Sequence, residues 1–115
     1  MVITPKILQV TYVFLKAFEP FQDMPPAHDV QFKINRCDEN RDYFHQNGGS
    51  KEYLIMVSAR CINHMDSLVK VMSHEMLHMK QYIDDTETED VVHNKEFTAL
   101  GQALCLEMGW DPGLF

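Results

Sequence analysis

Cysteine is scarce and badly placed for cross-linking. The 115-residue sequence has three, Cys37, Cys61 and Cys105, far apart and never in a C-x-x-C pair. That number and spacing exclude a disulfide framework and a cysteine-only zinc ribbon, and they fit reduced thiols in a cytosol. Basic residues are also few: ten Lys and Arg stand against seventeen Asp and Glu, a formal net charge of −7. Such a surface repels phosphate, so nucleic acid is not expected as a partner. No apolar run approaches the roughly 18 residues of a transmembrane helix. The start, Met1-Val2-Ile3-Thr4-Pro5-Lys6, lacks the basic segment, apolar stretch and small-residue cleavage site of a signal peptide. The expectation is a soluble, cytoplasmic protein with no membrane partner.

What is present describes one folded domain over residues 1–115, of ordinary size. Hydrophobic residues make up 45% and charged residues 23% of the chain, which supports a small packed core. Negative charge is concentrated in one stretch: Asp84, Asp85, Glu87, Glu89 and Asp90 occur with no base among them. This reads as a solvated surface loop.

Ile7, Leu8, Val10, Thr11, Phe14, Leu15 and Phe18 recur at helical spacing from Thr4 to about Phe18, with Thr4 as N-cap and Pro5 at the first helical position. Glu19-Pro20 ends that helix and Pro25-Pro26 lies in the connection. Val30, Phe32 and Ile34 alternate with polar residues, which predicts a strand over 30–35. Tyr43-Phe44-His45, the turn signal Asn47-Gly48-Gly49 and the apolar run Tyr53 to Val57 predict a hairpin whose last strand is central. A long helix from Asp66, as its cap, to about Ile83 follows, and then a helix from about Asn94 to Met108, stopped by Gly109. The expected fold is α+β, a small antiparallel or mixed sheet packed against about three helices.

His74-Glu75-Met76-Leu77-His78 matches H-E-x-x-H, in which two histidines four residues apart share a helix face and reach one metal ion. At about 100° per residue, His78 lies roughly 40° from His74, whereas Leu68, Val69, Met72, Met76, Met79 and Ile83 fall between about 120° and 220°. The imidazoles therefore avoid the apolar stripe. A catalytic zinc takes three protein ligands and leaves one position for water. Glu75, beside the first ligand, suits the general base that takes a proton from that water.

A third ligand must come from elsewhere. Asp84 lies six residues past His78, but a ligand there needs glycine at position 81 for a sharp turn, and Gln81 stands in its place. Glu96, Glu89 and Asp90 are further candidates, with nothing to fix the latter two. His93 ranks first: it stands where the acidic loop meets the last helix, four residues before Phe97 and on the same face. Phe97, Leu100, Leu104 and Met108 form the apolar stripe whose packing would turn His93 inward. Tyr82, near 80° on the same wheel, is a candidate oxyanion donor or a packing residue. Asp66, Asp90 and Glu96 are candidate partners for the ligands' second ring nitrogens, and His28, His45 and His64 read as surface residues.

These segments resemble the SprT-like zinc metallopeptidases, in which H-E-x-x-H is followed by a third histidine in an H-G-x-x-F-like segment opening the next helix. Here the second segment reads His93-Asn94-Lys95-Glu96-Phe97, and the strand Leu54 to Val57 leading through Arg60 and Asn63 into the metal helix is also similar. The likeness covers roughly residues 50 to 110. It implies a minimal zincin fold, Zn2+ held by His74, His78 and His93, Glu75 as general base, and hydrolysis of peptide bonds in a protein or peptide substrate. Asn94 stands where the family usually has glycine, a position where asparagine tolerates unusual dihedrals. Many relatives carry a cysteine-based zinc ribbon after the catalytic domain. This chain reaches Phe115 without one, so a DNA-dependent role is not implied.

The expectation is a zinc-dependent metallopeptidase. The alternative is a catalytically inactive zinc-binding or partner-binding module that keeps a zincin-like site, and the small size leaves room for an unidentified protein partner in forming a substrate groove.

Overall fold

The computed structural model describes residues 2–36, 43–45 and 51–112. Helix α1 spans Pro5–Lys16, and its N-cap Thr4 accepts a hydrogen bond from the Ile7 N–H at 3.2 Å. Strands β1 (Val30–Asn35), β2 (Tyr43–His45) and β3 (Tyr53–Ser58) precede the long helix α2 (Met65–Asp84) and the last helix α3 (Lys95–Met108). Short 3-10 turns, Ala27–Asp29 and Ala59–Cys61, lead into β1 and out of β3. The fold is α+β, as expected. The turn Asn47-Gly48-Gly49 and Cys37 lie outside the described residues, as do the side chains of His45 and Cys61. Cys105 is a buried free thiol.

The sheet has the order β1-β3-β2. β2 pairs antiparallel with β3, Phe44 opposite Ile55, which agrees with the hairpin. β1, in contrast, pairs parallel with β3, Val30 opposite Tyr53 and Asn35 opposite Ser58. Of the antiparallel and mixed arrangements expected, the antiparallel one is corrected: the sheet is mixed. β2 is the return leg that carries the chain back before β3 begins, so β1 and β3 run the same way. Alternation reports which face of a strand is buried and carries no information on direction. β3 is central, and Tyr53, Leu54, Ile55 and Val57 are all buried.

Two helix details differ from the sequence reading. α2 begins before Asp66, after His64, which makes no side-chain cap bond. Asp66 lies instead in the first turn, where a negative charge suits the helix dipole. In α1 the buried face is Leu8, Thr11, Tyr12 and Leu15, while Val10 and Phe14 are exposed. Tyr12 draws that face round: its ring meets Phe32 edge-on at 5.5 Å and its hydroxyl donates to the Pro25 carbonyl at 2.6 Å. Burial of the hydroxyl pushes the Tyr12 pKa up.

The core joins α1, β3, α2 and α3 through Leu8, Leu15, Ile55, Val57, Leu68, Met72, Met76, Met79 and Leu104. Each such side chain contributes on the order of 1.5–3 kcal/mol by leaving water. α2 is the central element. Besides its methionine stripe it buries Ser73, Glu75, Leu77 and Gln81, whereas Ile83 at its end is exposed. A single stripe was expected, and the wider burial follows from packing against α1, the sheet and α3. No helix among the described residues is long and apolar enough to cross a membrane.

Candidate metal centre

The site is built on the middle of α2. His74 and His78 stand one turn apart with their Nε2 atoms 3.2 Å from each other. The helix ends at Asp85, whose backbone is left-handed (φ 57°, ψ 45°), a conformation that aspartate and asparagine reach more readily than most residues. The Thr86 N–H then returns to the Gln81 carbonyl at 2.9 Å and the Asp85 N–H to that of Tyr82 at 3.3 Å. These bonds satisfy carbonyls left open at the helix end and reverse the chain.

The loop brings His93 back to the same face, its Nε2 3.3 Å from that of His78. One ring nitrogen from each of His74, His78 and His93 lies within 4.8 Å of the others, so the three could hold a metal ion. This is the trio expected from the sequence. His74 and His78 are half-buried and His93 is exposed, giving the cluster one open side. Beneath them Phe97 is 2% exposed. Its ring lies 4.5 Å from that of His93, 4.8 Å from His78 and 5.1 Å from His74. The sequence marked Phe97 as part of a helix stripe, and its place under all three imidazoles comes only from the packing of α3 on α2.

Burial holds the His78 pKa down to about 4, with further lowering from His74 and His93. His74 is lowered as well, by burial first and by His93 second. At neutral pH both rings are therefore uncharged and can offer lone pairs, as a metal ligand must. Glu75, next to the first histidine, is 3% exposed, so its carboxyl is held within the fold and largely out of bulk water.

The other candidates stand outside the trio. Asp84 accepts an ion pair from Lys80 at 2.9 Å, and Lys80 also bridges to Asp23 at 3.1 Å. Asp66 is eight residues before His74 on the same helix, about 12 Å along the axis, too far to orient its ring. Glu89, Asp90 and Glu96 are exposed. Asp90 and Glu96 line, with Val91 and Gln102, a cavity of about 680 Å³ beside His93. Tyr82 packs on Phe44 of β2, ring centroids 5.7 Å apart, which favours its packing role. His28 is exposed beside Asp29, and His64 is exposed before α2.

Asn94 has a definite task. It is the N-cap of α3: its backbone is extended (φ −77°, ψ −173°) and its Oδ1 accepts from the Phe97 N–H at 3.0 Å. No unusual dihedral is used there. Asparagine supplies the side-chain oxygen for this cap, which a glycine would lack. Comparisons with protein-family models, curated proteins and solved structures found no match for this chain.

Proposed function

We propose that the chain is a zinc-dependent metallopeptidase with a zincin-like site of the SprT-like kind: His74, His78 and His93 hold Zn2+, and Glu75 is the general base. The observation that carries this reading is the convergence of three imidazoles; Glu75, next in sequence to the first of them, is buried. A tetrahedral zinc with nitrogen ligands at about 2.0–2.1 Å sets those nitrogens about 3.3 Å apart. The His74–His78 and His78–His93 separations, 3.2 Å and 3.3 Å, match that spacing, and all three nitrogens lie within 4.8 Å of one another. An all-nitrogen set also suits zinc better than calcium or magnesium, which take oxygen. Three ligands with an open side favour a catalytic over a closed structural site.

When bound, zinc supplies Lewis acidity to the attacking water and to the substrate carbonyl. The chain's own residues do the rest. Glu75 takes the proton from water as it attacks and passes it to the departing amine, so the carboxylate is regenerated. Phe97 holds the three imidazoles in place from below. Among the described residues β2 is an edge strand; it packs by Phe44 against Tyr82, one turn beyond His78, and we propose that its backbone groups pair with an extended peptide.

The test is cleavage of a proteome-derived peptide library by the zinc-loaded chain, with Glu75→Gln in parallel. New termini that depend on Glu75 support the reading. A library left equally intact by both proteins overturns the enzyme and leaves a metal-binding module.

A further inference from the structure

Gln81 continues the ligand row of α2. His74, His78 and Gln81 are spaced i, i+4, i+7, which puts them on one helix face. Gln81 is fully buried, unlike the two histidines. Its Nε2 donates to Asn94 Oδ1 at 2.8 Å and more weakly to the Thr86 carbonyl at 3.4 Å. Asn94 in turn donates from Nδ2 to the Thr86 carbonyl at 2.9 Å and to Thr88 Oγ1 at 3.3 Å. The orientation of both amides follows from one fixed donor. The Phe97 N–H requires an oxygen, so Asn94 presents Oδ1 there, and Gln81 must meet that oxygen with its NH2 group.

We propose that Gln81 and Asn94 form a buried amide clasp whose role is to position His93 as the third ligand. The clasp seizes the chain at the residue after His93 and ties it to α2, to Thr86 and Thr88 of the loop and to the start of α3. His93 itself is exposed and lies on a loop; its ring rests on Phe97, but its backbone belongs to no helix or strand that would hold it in place. With Asn94 pinned, the adjacent imidazole has only its own torsions left to set. Stability alone gives a poor reason for this arrangement. Gln81 Oε1 is buried with no hydrogen-bond partner among the described residues, a cost that an apolar side chain of the same size avoids. A buried, half-satisfied amide retained beside a ligand row is accounted for by its geometric effect on that row.

This inference rests on the metal-centre reading, and the experiment separates the two. Zinc affinity of the full chain is measured by competition with a chromophoric chelator for the unsubstituted protein, Gln81→Met, His93→Ala and the double variant. Gln81→Met is expected to weaken zinc about 10–100-fold, the range for groups that orient metal ligands. In the His93→Ala background the same change should alter affinity less than about twofold, because its effect passes through His93. The Co2+ absorption spectrum of Gln81→Met should also move toward that of His93→Ala. Equal losses in both backgrounds, or no loss in Gln81→Met, overturn the clasp while leaving the metal centre standing. Absence of zinc binding by the unsubstituted chain overturns the metal centre, and the clasp with it. Asn94→Asp is the second variant should Gln81→Met not fold. It keeps the cap on Phe97 and the acceptor for Gln81 but loses the donor to Thr86 and Thr88, and the same background-dependence is required of it.

Discussion

His93 and Phe97 stack almost face to face, with ring centroids 4.5 Å apart and planes inclined by 22°. The pair links the loop to the core, because Phe97 is buried while His93 is exposed. Truncation should therefore be felt in both places. Phe97→Ala is expected to lower stability by about 3–5 kcal/mol, the cost of removing a buried aromatic ring, and also to weaken metal binding. Urea denaturation with chelator present measures the first effect, and zinc competition on the folded fraction measures the second. Phe97→Leu should recover most of the stability. A Phe97→Ala protein as stable as the parent would show that the ring is not packed as described.

Metal content gives the second prediction. Protein purified without chelator should carry about one zinc per chain, since three ligands make one site. His93→Ala should leave the fold intact and weaken zinc, because His93 is exposed and contributes little to the core. Full affinity in that variant would remove His93 from the ligand set.

Tyr82 supplies a negative prediction. Its ring rests on Phe44, and no part of the proposed chemistry uses its hydroxyl. Tyr82→Phe is expected to change zinc affinity and Glu75-dependent cleavage by less than about twofold, while Tyr82→Ala loses the roughly 0.5–1.5 kcal/mol of an aromatic pair. A large fall in turnover for Tyr82→Phe alone would return the hydroxyl to the list of oxyanion donors.

The parts of the fold legible from sequence were those set by local chemistry. Thr4-Pro5 starts α1 and Gly109, at φ 74°, ends α3 because these residues satisfy or permit the helix-end geometry themselves. The histidine pair on α2 was legible for the same reason, since a spacing of four fixes its geometry within one helix. His93 was reached by asking which donor the chain length and a stripe could bring back. Less legible was whatever depends on a distant partner. The parallel pairing of β1 with β3 is set by where β2 returns the chain. The burial of Gln81 is set by Asn94, thirteen residues later. Read by itself, Gln81 was only the absence of a glycine. A polar residue at i+7 from the first ligand, on the ligand face, is the signal that could have marked it.

The last prediction concerns acid. In the folded, metal-free chain the His78 pKa is held down to about 4 by burial and by its two neighbouring histidines, against an ordinary value of 6.5, and His74 is lowered in the same direction. Unfolding returns both rings to water. As the pH falls below 6.5 the unfolded chain takes up protons that the folded chain refuses, so folding stability falls with pH in this range. The contribution is complete above pH 6.5, is lost progressively through the His78 value near 4, and changes no further below it. Denaturant midpoints measured in chelator at several pH values between 7.5 and 4 should decline accordingly. His78→Gln removes the largest of these shifts and should show a shallower decline over the same range. Equal slopes for the two proteins would mean that His78 titrates alike in the folded and unfolded chain, contrary to its burial against His74 and His93.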